Sequence, residues 1–211
     1  MSIEQGSATL VQLATRRTRA GSRVSPRLRD ALLIVAFSSF IAVSAQISIP
    51  LPLVPLTGQD LAVLLTGAAL GWRLGGLAVL AYLGEGMAGL PVFANGASAW
   101  IPSQIPGTPY ILGTTGGYLV GFVAAALVVG WLAERGWDRT PWRIAAAMAL
   151  ALVAEFACGL AWLARFVPPE ALLASGLFPF LAGDALKLAL AAAVLPGARA
   201  LLSNAKGGSQ R

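Results

Sequence analysis

The amino-acid sequence predicts an all-α membrane protein in which six transmembrane helices form one bundle. Only 11% of the 211 residues are charged and 57% are hydrophobic, whereas soluble domains carry about 25% charged residues. The hydrophobic residues gather in six stretches, and nearly all basic residues lie at one set of the connections between them. Because so few charges cannot cover the surface of a water-soluble globule of this length, lipid must surround much of the chain.

Six apolar stretches account for the six predicted helices, since a helix needs about 20 residues to cross the hydrocarbon core and roughly 17 at least. In chain order they cover residues 31–49, 56–71, 74–90, 111–133, 144–163 and 177–195. The second is short, and only Trp72 and Arg73 separate it from the third, so its crossing needs a thin local bilayer or help from flanking residues. We therefore expect one transmembrane domain over residues 28–202, between a flexible basic leader, 1–27, and a tail, 203–211.

The distribution of Lys and Arg sets the predicted orientation in the cytoplasmic membrane. Six arginines precede the first stretch, one basic residue separates the second from the third, three separate the fourth from the fifth, and three follow the sixth. These are thirteen of the fifteen basic residues; Arg165 is the single one in the opposite connections, and Lys187 lies inside the sixth stretch. Because cytoplasmic loops carry the excess positive charge, we expect the leader and the tail to lie in the cytoplasm. Charges placed at the ends of apolar segments also favour membrane topology over nucleic-acid binding.

The three outer connections differ from ordinary short loops. Residues 46–59 are rich in proline, residues 91–110 contain four prolines and several glycines, and residues 168–176 form the third connection. Such segments suit a lid over a pocket, but they equally suit connectors whose prolines stop the helices. The length of the second connection favours a function for it.

We single out four ionisable residues inside the apolar stretches: Glu85, Glu155, Asp184 and Lys187. Charges in the membrane are costly, so each is a candidate for function. Asp184 and Lys187 are three residues apart and share one helix face. They either neutralise each other and hold the bundle together, or point into a cavity and bind a solute with complementary groups.

The two glutamates are less specific signals. Glu155 either accepts a hydrogen bond from a substrate or is protonated and bonds a neighbouring helix; we favour the second because burial favours the neutral carboxyl group. Glu85 lies between glycines and indicates either the cavity wall or the approach to the surface. The chain contains no histidine, which excludes histidine-based acid–base catalysis and histidine metal sites.

Four motifs in order resemble a known family. They read IPLPLVPLTGQDLAVLLTGAALGWRLGGLAVLAYL at 49–83, GLPVFANG at 89–96, LGTTGGYLVGF at 112–122 and FPFLAGDALKLALAA at 178–192. The resemblance is to BioY, the biotin-specific substrate-binding (S) component of energy-coupling-factor (ECF) vitamin transporters, and it extends over roughly residues 30–200. Any one motif alone is weak evidence, but their order and spacing make the resemblance specific.

The resemblance implies biotin uptake across the cytoplasmic membrane by a six-helix S component that is not an enzyme. It implies two protein partners, a transmembrane coupling protein and a pair of ABC-type ATPases, and it allows a homo-oligomer. We expect no cofactor and no metal: biotin is the ligand, ATP is used only by the partner subunits, and the chain has no GxxxxGK[ST] phosphate loop. We expect the first helix to dock on the coupling protein through Ser38 and Ala42, a small-xxx-small pair that permits close helix approach.

The chemistry of biotin selects the expected site residues. Its ureido ring offers two N–H donors and a carbonyl, its body is apolar, and its tail is a carboxylate, so the site needs hydrogen-bonding groups, an apolar wall and a cation. By resemblance, the candidates are Asp184 and Lys187 in the last helix, Asn95 in the outer loop and Gln59 at the start of the second helix. Tyr118 and Phe93 are candidates for the wall. The outer loop before GTTGG contains no arginine, so the resemblance implies that a cation which this loop contributes elsewhere in the family comes from Lys187 or Arg165 here.

Three other functions fit parts of the sequence. An S component for a different vitamin has the same architecture, and only the loop and last-helix motifs favour biotin. A membrane assembly subunit without a ligand also fits the composition. An intramembrane aspartyl protease of the GxGD type does not fit, because Leu181 stands where the motif needs glycine.

The predicted orientation can be tested by cysteine labelling in cells, starting from a Cys158→Ala background that removes the lone cysteine. We expect a membrane-impermeant thiol reagent to label Asn95→Cys in intact cells and Arg139→Cys only after permeabilisation. Labelling of position 95 from the cytoplasmic side would overturn the topology.

Overall fold

The computed structural model describes residues 9–11 and 25–204, and this part of the chain is mainly helical. The helices are α1 (Pro26–Ala45), α2 (Gln59–Met87), α3 (Gly116–Glu134), α4 (Pro141–Leu163), α5 (Pro169–Gly176) and α6 (Phe178–Asn204). Two short antiparallel strands, β1 (Ser48–Ile49) and β2 (Leu56–Thr57), join α1 to α2. Most of the predicted leader and most of the tail lie outside the described residues.

Helix α1 has capping residues at its start and an apolar outer face. The Ser25 hydroxyl accepts a hydrogen bond from the Leu28 amide, and Pro26 occupies the first turn, where no intrahelical donor is needed. Its buried residues are Ser38, Ile41 and Ala45, which lie on one face. Its other faces expose large apolar residues, as expected of a helix in contact with lipid or another apolar partner.

Helix α2 folds back on itself at Gly71. This residue has φ +83° and ψ 175°, a backbone conformation that glycine adopts without steric cost. The Gln59 side chain donates to the Tyr82 hydroxyl although 23 residues separate them, and a straight helix would hold them about 35 Å apart. A Cβ on Gly75 would lie 2.9 Å from the Cα of Gly67, so the two arms touch. The arms, 59–70 and 72–87, are therefore antiparallel and meet at the break predicted next to Trp72 and Arg73.

Length and composition make five helical segments of the described chain long and apolar enough to cross a membrane. They are Pro26–Ala45, Gln59–Met87, Gly116–Glu134, Pro141–Leu163 and Pro169–Leu201. The chain is therefore a multi-pass, mainly helical membrane protein. The six predicted stretches correspond to five segments because the second and third belong to the single element that bends at Gly71.

Glycines on α3 allow the neighbouring helices to approach it closely. A Cβ on Gly121 would lie 2.7 Å from the Glu155 carbonyl oxygen of α4, and one on Gly117 would lie 2.3 Å from the Trp162 Cβ. At the opposite end of α3, a Cβ on Gly130 would lie 2.5 Å from the Trp72 backbone nitrogen. Small residues at these positions allow the close helix approach on which membrane bundles depend.

The third outer connection contains a helix, α5, where the sequence indicated a loop. Pro169 is the first residue of this helix, a position at which proline is well tolerated. The sequence analysis expected prolines in this connection to end helices. After α5, α6 packs through a narrow stripe of buried residues: Phe180, Asp184, Ala191, Leu195 and Arg199. Near its end, Arg199 forms an ion pair with the buried Asp138 of the α3–α4 connection.

The long outer connection is an ordered cover. Its chain contains two short 3₁₀ turns, Ala94–Gly96 and Tyr110–Leu112, and isolated bridges pair Phe93 with Ala97 and Pro102 with Pro109. The Phe93 ring is buried between Tyr82 and Tyr110, at centroid distances of 5.4 and 5.8 Å. Thr114 donates a hydrogen bond to the Leu53 carbonyl of the first outer connection, so the two outer segments are tied together.

The contact between α3 and the fold-back of α2 yields a stability prediction. Gly130→Ala places a methyl group against the backbone of Gly71 and Trp72, which cannot move as a flexible side chain can. We expect a loss of about 1–3 kcal/mol, typical of overpacking, seen as a lower unfolding temperature of the detergent-purified protein. Gly84→Ala is the matched control, because a Cβ there meets nothing within 4 Å. Equal stability of the two variants would contradict the packing described here.

Candidate ligand-binding site

A cavity lies between the outer connections and the helices α2, α3, α4 and α6. The residues that line it are Val54, Pro55, Thr57, Gln59, Asp60, Tyr110, Thr115, Tyr118, Leu119, Phe122, Glu155, Phe156 and Phe180. This composition combines an apolar wall with a small number of polar groups, as ligand sites commonly do.

Aromatic rings form one wall of the cavity. Tyr118 packs against Phe156 and Phe180, with centroid distances of 6.2 Å in both pairs. The Tyr118 hydroxyl donates to the Gly176 carbonyl at 2.7 Å, so the end of α5 fixes the orientation of this ring. The wall is therefore a preformed surface against which a flat apolar ligand can stack.

Polar groups from α2, α4 and the outer connections form the other side. The Thr57 hydroxyl accepts a hydrogen bond from the Gln59 amide at 3.1 Å and so fixes the start of α2. This brings the side chains of Gln59 and Asp60 to the cavity, opposite Glu155 of α4. Burial raises the pKa of the Tyr110 hydroxyl above its ordinary value, so this group remains a neutral donor and acceptor at physiological pH.

Behind this polar side, Lys187 joins two aspartates. Its ammonium Nζ lies 2.6 Å from Asp60 Oδ2 and 3.0 Å from Asp184 Oδ1. The three side chains are 15%, 12% and 5% exposed, respectively. An ammonium group placed between two carboxylates satisfies the charges that burial would otherwise leave unpaired.

Glu155 completes this group of charged residues. It is 2% exposed, and it lines the cavity together with Asp60. Its Oε2 atom has no hydrogen-bond partner within the part of the chain that the structure describes. We call Asp60, Glu155, Asp184 and Lys187 the charged cluster.

The structure brings together four of the six residues predicted to bind the ligand. Gln59 and Tyr118 line the cavity, and Asp184 and Lys187 lie directly behind its polar side. Asp184 also lines a wide apolar groove between α4 and α6. The intramembrane pair is thus an ion pair that also contacts a cavity residue, Asp60, and solute binding by the pair stays a prediction.

The other two predicted residues lie in the outer cover. Phe93 is buried behind the cavity, between Tyr82 and Tyr110, and is not among the residues that line it. Asn95 is exposed, has φ +57°, and its Oδ1 accepts a hydrogen bond from Ser48 Oγ at 2.6 Å.

The predicted docking pair on α1 lies on one helix face that packs against the chain's own bundle. Ser38 is fully buried, and its hydroxyl donates to Glu85 Oε1 at 2.7 Å, which links α1 to the second arm of α2. Ala42 is half-buried. This hydrogen bond also explains Glu85, whose carboxyl group has a partner within the bundle.

Asp60 is a residue of the cavity and of the charged cluster that the sequence analysis missed. It follows Gln59 in the first turn of α2, inside the second apolar stretch, so it met the criterion that identified the other intramembrane ionisable residues. Its position at the edge of the shortest stretch made it resemble a boundary residue, but the fold-back of α2 and the packing of α6 bury it.

The chain is similar to known proteins over nearly its full length. The family model described as "BioY family" matches residues 14–204. A Thermotoga maritima protein named "Biotin transporter BioY" is 37% identical over 168 residues, which are 79% of this chain and 94% of that protein. A Lysinibacillus sphaericus protein named "Probable biotin transporter BioY" is 39% identical over 132 residues, 63% of either chain. The crystal structure of "the S-component for biotin from an ECF-type ABC transporter" superposes with a TM-score of 0.69 and 21% identity, covering 84% of this chain and 94% of that one.

The geometry of the charged cluster predicts how removing one of its charges changes the stability of the fold. Lys187→Met leaves the Asp60 and Asp184 carboxylates without their cation, and we expect a loss of about 3–5 kcal/mol in stability. Adding Asp60→Asn and Asp184→Asn to that variant should recover most of the loss. The measurement is the unfolding temperature of the purified protein, obtained from the amount of protein that still elutes as a folded species in size-exclusion chromatography after heating.

Arg29→Met is the matched control, because Arg29 pairs with Asp30 in an ion pair whose side chains are 32% and 37% exposed. Such a pair contributes at most about 1 kcal/mol. If Lys187→Met is as stable as the control, the ammonium group does not hold the cluster together.

Proposed function

This chain belongs to the BioY family, and on that premise we propose that it binds biotin and serves in biotin uptake as the S component of an ECF transporter. It is a transporter component and not an enzyme. The observation that carries the proposal is the cavity, with an aromatic wall on one side and carboxyl and amide groups on the other, in a chain whose relatives are named biotin transporters.

The groups around the cavity match those of biotin. The two ureido N–H groups need acceptors, which Asp60 and Glu155 supply, and the ureido carbonyl needs a donor, for which Thr115 is available. The bicyclic body fits against Tyr118 and the phenylalanines around it. Hydrogen bonds to a charged acceptor contribute about 1.5–3 kcal/mol each, which suits tight binding of a small polar ring.

The sequence analysis made Lys187 a candidate partner for the biotin carboxylate, but its contacts suggest a different role. We propose that its main role is to neutralise Asp60 and Asp184, because its ammonium group already contacts both. Arg165 is then the remaining candidate for the cation that pairs with the biotin carboxylate. Asn95 stays a candidate contact by resemblance, and it reaches the ligand only if the outer cover changes its conformation, because its side chain is directed to Ser48.

We propose that the chain crosses the cytoplasmic membrane six times with both ends inside. The antiparallel arms of α2, joined at Gly71, support a count of six, since each arm then makes one crossing. Thirteen of the fifteen basic residues support the orientation.

We propose that α1 contacts the transmembrane coupling protein and that the ATPases act through that protein. Ser38 is occupied by Glu85, so the contact should use exposed small residues on α1 such as Ala36 and Ser39, together with Ala42 at the edge. Small residues permit the close helix approach that such a contact needs.

Calorimetry on the purified, detergent-solubilised chain tests the biotin proposal. We expect saturable biotin binding without ATP, and no displacement by an equimolar mixture of other vitamins. Gln59→Ala removes a polar group that lines the cavity and should weaken binding roughly 2- to 13-fold.

Gln104→Ala is the control for this variant, because Gln104 is exposed on the outer cover and does not line the cavity. Displacement by another vitamin would assign the site to that compound. The absence of any saturable binding by folded protein would refute the S-component function.

A further inference from the structure

Three arginine–tryptophan pairs lie at the end of the bundle where α2 bends. In each pair the guanidinium group lies over the indole ring, with the guanidinium carbon 5.0, 3.4 and 5.2 Å from the ring centroid in chain order. These distances are those of cation–π contacts. All six residues are exposed. We call them the Arg–Trp patch: Trp72, Arg73, Trp131, Arg135, Trp142 and Arg143.

The fold brings the three pairs to one end of the molecule. The backbone of Trp72 lies against Gly130, the neighbour of Trp131 on α3. Residues 135–140 alone join α3 to α4, so Arg143 in the first turn of α4 lies at the same end. The Arg135 guanidinium group also donates a hydrogen bond to the Trp131 carbonyl oxygen at 3.2 Å, which fixes it over the ring. This end of the bundle therefore presents three guanidinium groups, each beside an exposed ring.

The three arginines of the patch form no ion pair with a carboxylate in the described part of the chain. The acidic side chains of the adjoining α3 end and α3–α4 connection are directed elsewhere. Asp138 is buried and pairs with Arg199, and Glu134 lies against Gly71 of the bend. The positive charge of the patch is therefore left for groups outside the chain.

We propose that the Arg–Trp patch binds the phosphate groups of anionic phospholipids. A guanidinium group is a planar fork of N–H donors that fits two phosphate oxygens at once. Tryptophan rings prefer the depth of the lipid head groups, so each ring holds its arginine where phosphates lie. Bound phosphates also neutralise like charges at this end and so stabilise the folded bundle. The predicted topology places this end in the cytoplasm, but the chemistry of the patch does not depend on that orientation.

Native mass spectrometry of the detergent-purified chain, titrated with phosphatidylglycerol or with zwitterionic phosphatidylcholine, tests this proposal. We expect the chain to bind phosphatidylglycerol in preference to phosphatidylcholine. Because a basic residue near an anionic lipid surface contributes about 1 kcal/mol, Arg73→Gln, Arg135→Gln and Arg143→Gln should each weaken phosphatidylglycerol binding about fivefold. The triple variant should lose the preference.

Two further variants separate the patch from positive charge in general. Arg27→Gln is the matched control, because Arg27 is exposed at the start of α1, on the same predicted side, and has no ring contact in the described part of the chain. It should keep the preference for phosphatidylglycerol. Changing the three arginines of the patch to lysine keeps the charge but removes the planar fork, so we expect the affinity to fall between those of the unaltered chain and the triple glutamine variant.

Thermal unfolding provides a second measurement, which each single variant allows if the triple variant does not fold. Phosphatidylglycerol should raise the unfolding temperature of the unaltered chain, because a ligand that binds the folded state stabilises it. Phosphatidylcholine and inorganic phosphate at the same concentration should raise it less. Equal stabilisation by inorganic phosphate would overturn the lipid assignment in favour of a site for free anions.

The remaining outcomes also decide the proposal. Equal binding of the two lipids, or an equal loss in Arg27→Gln and in the patch variants, overturns it. Lysine variants that bind as tightly as the unaltered chain overturn the part given to the arginine–tryptophan geometry. A triple variant that binds phosphatidylglycerol normally but no longer associates with the coupling protein assigns these arginines to that protein instead. None of these results depends on biotin binding, so the proposed function is tested separately.

Discussion

The Lys187 ammonium group, held between Asp60 and Asp184, is the interaction on which the arrangement of this bundle depends. In the membrane, apolar side chains gain nothing from leaving lipid for one another, so helix association rests on close packing and on polar contacts. A lysine in the middle of α6 therefore requires partners, and its partners determine where α6 can lie. Asp184 on the same helix provides one carboxylate, and Asp60 at the start of α2 provides the other. The contact with Asp60 fixes α6 against the fold-back helix and at the same time places a carboxylate at the cavity.

The contact works only because α2 bends at Gly71. Without the bend, Gln59 and Tyr82 would lie at opposite ends of one long helix, and the start of α2 would not stand beside α4 and α6. The bend in turn depends on glycines: Gly67 and Gly75 let the two arms touch, and Gly130 lets α3 pack on the turn itself. Backbone freedom at Gly71 and the missing side chains at Gly67, Gly75 and Gly130 thus decide where Asp60 meets Lys187, which lies 127 residues further along the chain. The cavity is a consequence of that packing, since its polar side comes from the arm that the bend returns.

Much of this could be predicted from the sequence, and the limits have physical reasons. Hydrophobic stretches and positive charges identified the membrane helices and the break near Trp72, because length and charge act locally. Asp184 and Lys187 were found because a charge inside an apolar run is conspicuous. Asp60 was missed because whether a residue at the end of a stretch is buried depends on a tertiary contact with α6. For the same reason the inward direction of Ser38 was not foreseen: a small-xxx-small pair indicates close approach, but not which neighbour approaches. The short helix α5 could not be distinguished from a loop, since its eight residues carry little periodic signal.

Helix α6 is positioned mainly by a small number of specific contacts and not by a large apolar interface. Its buried residues form a narrow stripe, and a wide apolar groove separates it from α4 over much of their length. Three contacts along α6 hold it: Phe180 against Tyr118 at the end predicted to be the outer one, Lys187 with Asp60 in the middle, and Arg199 with Asp138 at the end predicted to be the inner one. Two of the three are ionic, and both join α6 to another part of the chain. Because separating a buried ion pair leaves each charge uncompensated in a low-dielectric interior, a helix held in this way can be set at a defined position without a large packed interface. The outer contact and the middle contact both adjoin the cavity, so the position of α6 and the shape of the ligand site are determined by the same residues.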